Sequence, residues 1–86
     1  MIREELSEWY EGLLFADGFD EAIMGVEERA GVVAYDIDKI IEILSREMTE
    51  EEAIEYFEFN ILGAYMGEKT PVYVNTIKKS PHKAGC

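Results

Sequence analysis

The chain has 86 residues, 48% of them hydrophobic and 31% charged, with two prolines and a net charge of −11. That length holds one core and no more, and the composition excludes the disordered class. An acidic balance of this size disfavours direct binding to nucleic acid phosphates or anionic lipid and favours a basic protein partner, though it also serves solubility alone.

The charge is unevenly spread. Residues 1–68 carry all nineteen acidic groups against Arg3, Arg29, Lys39 and Arg46, a balance of −15, while residues 69–86 carry Lys69, Lys78, Lys79 and Lys83, a balance of +4. The expected organisation is a single acidic α+β domain over residues 1–74 followed by a basic flexible tail over residues 75–86. Acidic residues at the start, where a signal peptide needs a basic group and an apolar run, imply no export signal, and no stretch reaches the length of a membrane span. With Cys86 as the one cysteine, no intrachain disulfide is expected, and the natural location is the cytoplasm.

Ile2, Leu6, Trp9 and Leu13 recur at helical spacing, with Glu4, Glu8 and Glu11 on another side, so a short amphipathic helix is predicted to end near Gly12. Asp17-Gly18 signals a turn. The glycine-broken apolar run 21–27 reads as a strand rather than a helix, and after a turn at Ala30-Gly31 the run 32–35 reads as its partner.

Asp36 stands at an N-cap position ahead of Ile37, Ile40, Ile41 and Leu44, which share one helical face. Thr49 and Glu52 are spaced as a capping box, and three acids in the first turn suit the positive end of the helix dipole. This second long helix is expected to run to about Met66, with Gly67 left-handed and Pro71 preventing continuation. A last strand is expected at 72–74. The order α-β-β-α-α-β predicts a small, mostly antiparallel sheet whose helices cover one face.

On an α-helical projection Ala53, Ile54, Phe57, Ile61, Ala64 and Tyr65 form the core stripe of that helix, while Phe59, Leu62 and Met66 fall on nearly the opposite side. A helix apolar on both sides is either sandwiched inside its domain or covered by a partner. In so small a domain internal burial is the expectation, and Asn60, beside the stripe, is expected to satisfy its amide on loop backbone. Trp9, Tyr10, Tyr56 and Tyr73 are core residues or interface anchors. Glu51, Glu55 and Glu58 repeat the spacing of Glu4, Glu8 and Glu11, and each trio makes a carboxylate row that imitates a run of phosphates or is a solvated helix face.

Little in the chain suits catalysis. Its single histidine, His82, lies in the tail, and the carboxylate pairs Asp17/Asp20 and Asp36/Asp38 are accounted for by turn and cap roles. Asp36-Ile37-Asp38 lacks the glycine and closing glutamate of a calcium loop, the residues for a zinc site are missing, and the glycines are too far apart for a phosphate loop. The chain is therefore expected not to be an enzyme, with no catalytic residue, no cofactor and no metal.

The runs Tyr35-Asp36, 48–60 (MTEEEAIEYFEFN) and 63–71 (GAYMGEKTP), together with 17–20 (DGFD) and Gly25, resemble small acidic proteins encoded in tailed-phage genomes, a group with no established activity. Members of that group often carry a cysteine in the first long helix. Ile40 and its neighbours stand there in this chain, which argues against cysteine chemistry. The resemblance implies a phage or prophage origin and, by analogy, an inhibitor of a host defence or nucleic-acid-handling protein with a basic surface. The partner-binding candidates are Glu51, Glu55, Glu58, Phe59, Leu62, Met66, Glu4, Glu8 and Glu11. The alternative is an assembly module that forms a homo-oligomer through the apolar side of the second long helix.

Overall fold

A computed structural model describes residues 2–76, with the side chain of Ile2 left aside. Helix α1 spans Ile2–Trp9, a short 3-10 turn spans Asp20–Ala22, and strands β1 (Ile23–Glu27) and β2 (Val32–Asp36) follow. Helices α2 (Ile37–Leu44) and α3 (Glu50–Tyr56) come next, α3 continuing without a break as a π-helical turn over Phe57–Leu62, and β3 (Val72–Val74) closes the fold. The class is α+β and the order α-β-β-α-α-β. Of the two strand pairings one is antiparallel (β1 with β2) and one parallel (β2 with β3), so the three-stranded sheet is mixed, with β2 in the middle. Parallel pairing follows from the connection, because the chain leaves β2, runs through both helices and re-enters alongside.

The β1–β2 turn is built by Glu27. Its carboxylate accepts the backbone N–H groups of Arg29 and Ala30, and its carbonyl accepts that of Gly31 at 2.7 Å. Gly31 stands at φ +68°, a region that costs a residue with a Cβ, and a Cβ there would lie 3.2 Å from Lys69 Nζ. Lys69 donates to the Gly31 carbonyl, tying the approach to β3 back to the hairpin. In β1 the register slips between Ile23 and Gly25, leaving Met24 as the extra residue of a bulge, exposed to solvent.

Val32 and Val33 are adjacent in β2 and so point to opposite faces, yet both are buried, which means that the sheet is covered on each side. The main cluster joins Val33 and Tyr35 of β2 to Ala22, Ile40 and Phe57. Tyr35 is its pivot. The ring is 0% exposed, its hydroxyl oxygen accepts the Ala16 N–H at 2.7 Å, and it stacks on Tyr73 of β3 at 5.8 Å between centroids. Phe57 meets Tyr73 edge-to-face at 5.5 Å between centroids.

Asp36 ends β2 and caps α2 at once, its side chain accepting the Asp38 N–H, so strand passes to helix with no loop. The capping box of α3 is formed in both directions, Thr49 Oγ1 accepting from Glu52 N and Glu52 Oε1 from Thr49 N. Glu21 pairs with Arg46 at 3.0 Å, joining the 3-10 turn to the chain just beyond α2, and the guanidinium holds the exposed Glu21 carboxyl below its ordinary range.

The second long helix departs from expectation at its C-terminal end. It stops at Leu62, not near Met66, and its last six residues form the wider π turn. Gly63 does not sustain the helix, and the Thr70 hydroxyl organises the next segment as a separate turn, accepting the Met66 N–H and donating to the Gly67 carbonyl. Gly67 is left-handed, at φ +96°, but within that turn rather than as the helix cap. Residues 77–86, with His82, Cys86 and most of the expected tail, lie outside the described residues.

Burial pushes the hydroxyl pKa of both Tyr35 and Tyr73 up, against a lowering of the Tyr35 value by the Ala16 N–H. Unfolded tyrosine ionises near about pH 10. Raised folded values mean that this part of the stability is complete below that pH and is lost as pH climbs through the folded pKa values. Thermal unfolding should therefore shift to lower temperature above about pH 10, and Tyr73→Phe should make that fall shallower. Tyr35→Phe, which removes the acceptor from the Ala16 N–H, should cost about 1–2 kcal/mol in urea unfolding.

Candidate partner interface

Phe57 commits one side of the α3 helix and its π turn to the core. Phe59, two residues on, is carried to the far side and is 78% exposed. Each residue of a turn closed by i→i+5 bonds advances less around the axis than in an α-helix, and the helix ends at Leu62, so the α-helical projection that places Ala64 and Tyr65 in the core stripe does not reach them; Ile54, in the regular part of α3, is exposed beside the buried Ala53. Ala53 and Phe57 are buried and Ile61 is half-buried. Ile54, Ala64 and Tyr65 are exposed, Tyr65 by 79%.

The expectation of internal burial for the second apolar side is likewise corrected: Phe59, Leu62 and Met66 all face solvent, because the helix lies over the cluster with one side only and no described element covers the other. Asn60 is exposed rather than buried. Ile54, Tyr56, Phe59, Leu62, Tyr65 and Met66 are thus all exposed in one stretch of thirteen residues.

Two shallow depressions shape this exposed face. One, of about 350 Å³, is lined by Met48, Glu52, Glu55, Tyr56, Phe59 and Asn60; the other, of about 430 Å³, by Glu51, Glu52, Ile54 and Glu55. Glu52 and Glu55 line both and form an acidic ridge between an aromatic notch and an aliphatic one. From residue 47 to residue 68 the chain has no lysine or arginine, and among the described residues Glu51, Glu55 and Glu58 have no cation within ion-pair distance.

The structure thus brings Glu55 together with Phe59 and Glu51 together with Glu55. Glu58, Leu62 and Met66 are exposed but line neither depression. Glu4, Glu8 and Glu11 are exposed too, Glu4 and Glu8 on α1 and Glu11 just beyond it, a separate element that packs against β1 while α3 packs against α2. Met48, Glu52, Ile54, Tyr56 and Asn60 also belong to the face: the sequence alone assigns Glu52 to a cap, Ile54 to the core and Asn60 to loop backbone, leaves Tyr56 open between core and interface anchor, and gives Met48 no role. Tyr56, an aromatic next to the buried Phe57, is the signal that could have found it.

Around α1 the polar groups are engaged locally. Arg3 reaches Asp17 at 3.2 Å and Asp20 at 3.3 Å and lies over the Phe15 ring, 4.6 Å from its centroid. These contacts give Asp17 and Asp20 the structural role expected of a turn. Tyr10 donates to Glu28, whose carboxylate raises the tyrosine pKa, and Trp9 at the end of α1 is 80% exposed. Among the described residues no three His, Cys, Asp or Glu side chains gather as a metal site, and no helix is long and apolar enough to cross a membrane.

No family model, curated protein or solved structure matches the chain. Truncating the two phenylalanines of the π turn separates core from surface: Phe57→Ala should cost about 3–5 kcal/mol of unfolding free energy and Phe59→Ala less than about 0.5 kcal/mol. Equal losses in chemical denaturation would mean that Phe59 is packed in solution.

Proposed function

We propose that the chain is a non-catalytic, phage-type binding protein of the host cytoplasm that docks on a basic surface of a host protein and blocks it, a defence or nucleic-acid-handling protein being the class of target. One observation carries this reading: Tyr56 and Phe59, exposed on α3 and its π turn, adjoin Glu52 and Glu55 in a stretch that has no basic residue. Carboxylates at the rim attract and orient a cationic partner, and aromatic side chains buried on contact hold it. The acidic row of Glu4, Glu8 and Glu11 adds to the long-range field.

A self-assembling module is the rival reading, supported by the exposed Leu62, Tyr65 and Met66 beyond the notch. Two copies each carrying −11 repel, which weighs against it.

The test is capture from a bacterial lysate on the immobilised full chain at low salt and at about 0.5 M salt, where charge attraction is screened. A basic protein should be retained at low salt, released at high salt, and lost when Glu51, Glu55 and Glu58 are all replaced by lysine. Recovery of only the chain itself at both salts, with Phe59→Asp converting an oligomer to a monomer, would replace the inhibitor with the self-assembling module.

A further inference from the structure

Resting on that reading, we infer that the segment of the partner that enters this face is a cationic amphipathic helix, with lysine or arginine along one border of an apolar stripe. The geometry of the face selects it. Glu51 and Glu55 are four residues apart in α-helix and stand about 6 Å apart along its axis. Beside this acidic column, and sharing the Glu55 wall, opens the notch floored by Tyr56 and Phe59. An occupant must therefore present a basic column and an apolar column side by side, on the same side of its backbone.

A helix does this, because residues three and four apart form parallel columns on one surface. An extended strand does not: its successive side chains go to opposite faces, so a strand of alternating basic and apolar residues turns one set away when the other engages. The helix-in-groove mode also matches the depth of the site, since two open depressions receive protruding side chains but neither encloses a whole ligand. Met48 at the rim of the aromatic notch supplies an unbranched, adaptable wall for a leucine, methionine or phenylalanine from the partner. Glu52 is held in place by its capping bond to Thr49 N, so part of the acidic ridge is preorganised before any partner arrives.

The sign of the charge disposes of the other occupants. A second copy of this chain would bring its own acidic face, and a nucleic acid would bring phosphates, to a stretch that holds seven glutamates between residues 47 and 68 and no lysine or arginine.

Three labelled peptides of equal length test the inference, measured by fluorescence anisotropy with the full chain. The first places leucine and lysine with helical periodicity; the second has the same composition in strict alternation; the third keeps the helical pattern with glutamate for lysine. The first should bind at least about tenfold more tightly than the second, gain helical circular dichroism when bound, and lose about tenfold or more in affinity to both Phe59→Asp and Glu55→Lys. The third should not bind. Equal binding of the first two peptides, or a Phe59→Asp variant that binds the first peptide unchanged, would overturn the inference in favour of unspecific charge attraction. Self-association through Phe59, seen by sedimentation as a dimer that the variant dissolves, would overturn it in favour of a second copy. The broader reading is separable: a basic protein captured from lysate that the first peptide does not displace would refute the helical form of the partner and leave the binding function standing.

Discussion

The ring of Tyr35 is the constraint on which the rest of the structure depends. It sits on the central strand, accepts the Ala16 N–H through its hydroxyl oxygen and stacks on Tyr73, which in turn meets Phe57 in a T-shaped contact. One side chain thereby links the loop after α1, the parallel strand β3 and the π turn. A domain of this size buries few large side chains, and here Tyr35, Ile40, Val32 and Val33 are the largest that are fully enclosed. The fold is held by this short list and by caps, with Asp36 and Thr49 fixing where α2 and α3 begin.

The exposed face is a consequence of that anchor. With Phe57 turned to Tyr73, Phe59 must leave on the other side, and the i→i+5 turn carries the following residues away from the core stripe of a regular helix. π-type turns are energetically poorer than α-helix and recur at functional sites. Here the turn keeps Phe57 and Ile61 over the cluster while Phe59 and Leu62 are given to solvent. The same stretch contains no lysine or arginine, so exposed apolar and acidic side chains coincide there.

Much of the architecture was legible in the sequence because its signals were chemical and local. The Asp36 cap, the Thr49–Glu52 box and the turn at Ala30-Gly31 each depend on a few neighbouring atoms, and each stands where its residues predict. The parallel pairing of β3 was not legible, since strand direction is decided by where the crossover returns. Nor was the end of the second helix: a projection at 100° per residue assumes α geometry, which fails from Phe57 onward, so Asn60 in the π turn and Tyr65 beyond the helix end fall outside the stripe it predicts, while Ile54, in the regular part of α3, is exposed for a reason the projection does not contain. Apolar residues on two sides of the projection mark the second helix as unusual, but only the position of Phe57 against Tyr73 decides which aromatic faces outward.

The measurement that bears most directly on this account is fluorine NMR of the protein with its four phenylalanines replaced by 4-fluorophenylalanine, followed through exchange from water to deuterium oxide. The account predicts a solvent isotope shift at Phe59 and none at Phe57, in the free protein and in the folded state. A shielded Phe59, or a shift of equal size at both positions, would contradict the claim that the core holds one aromatic inward and leaves the other at the surface.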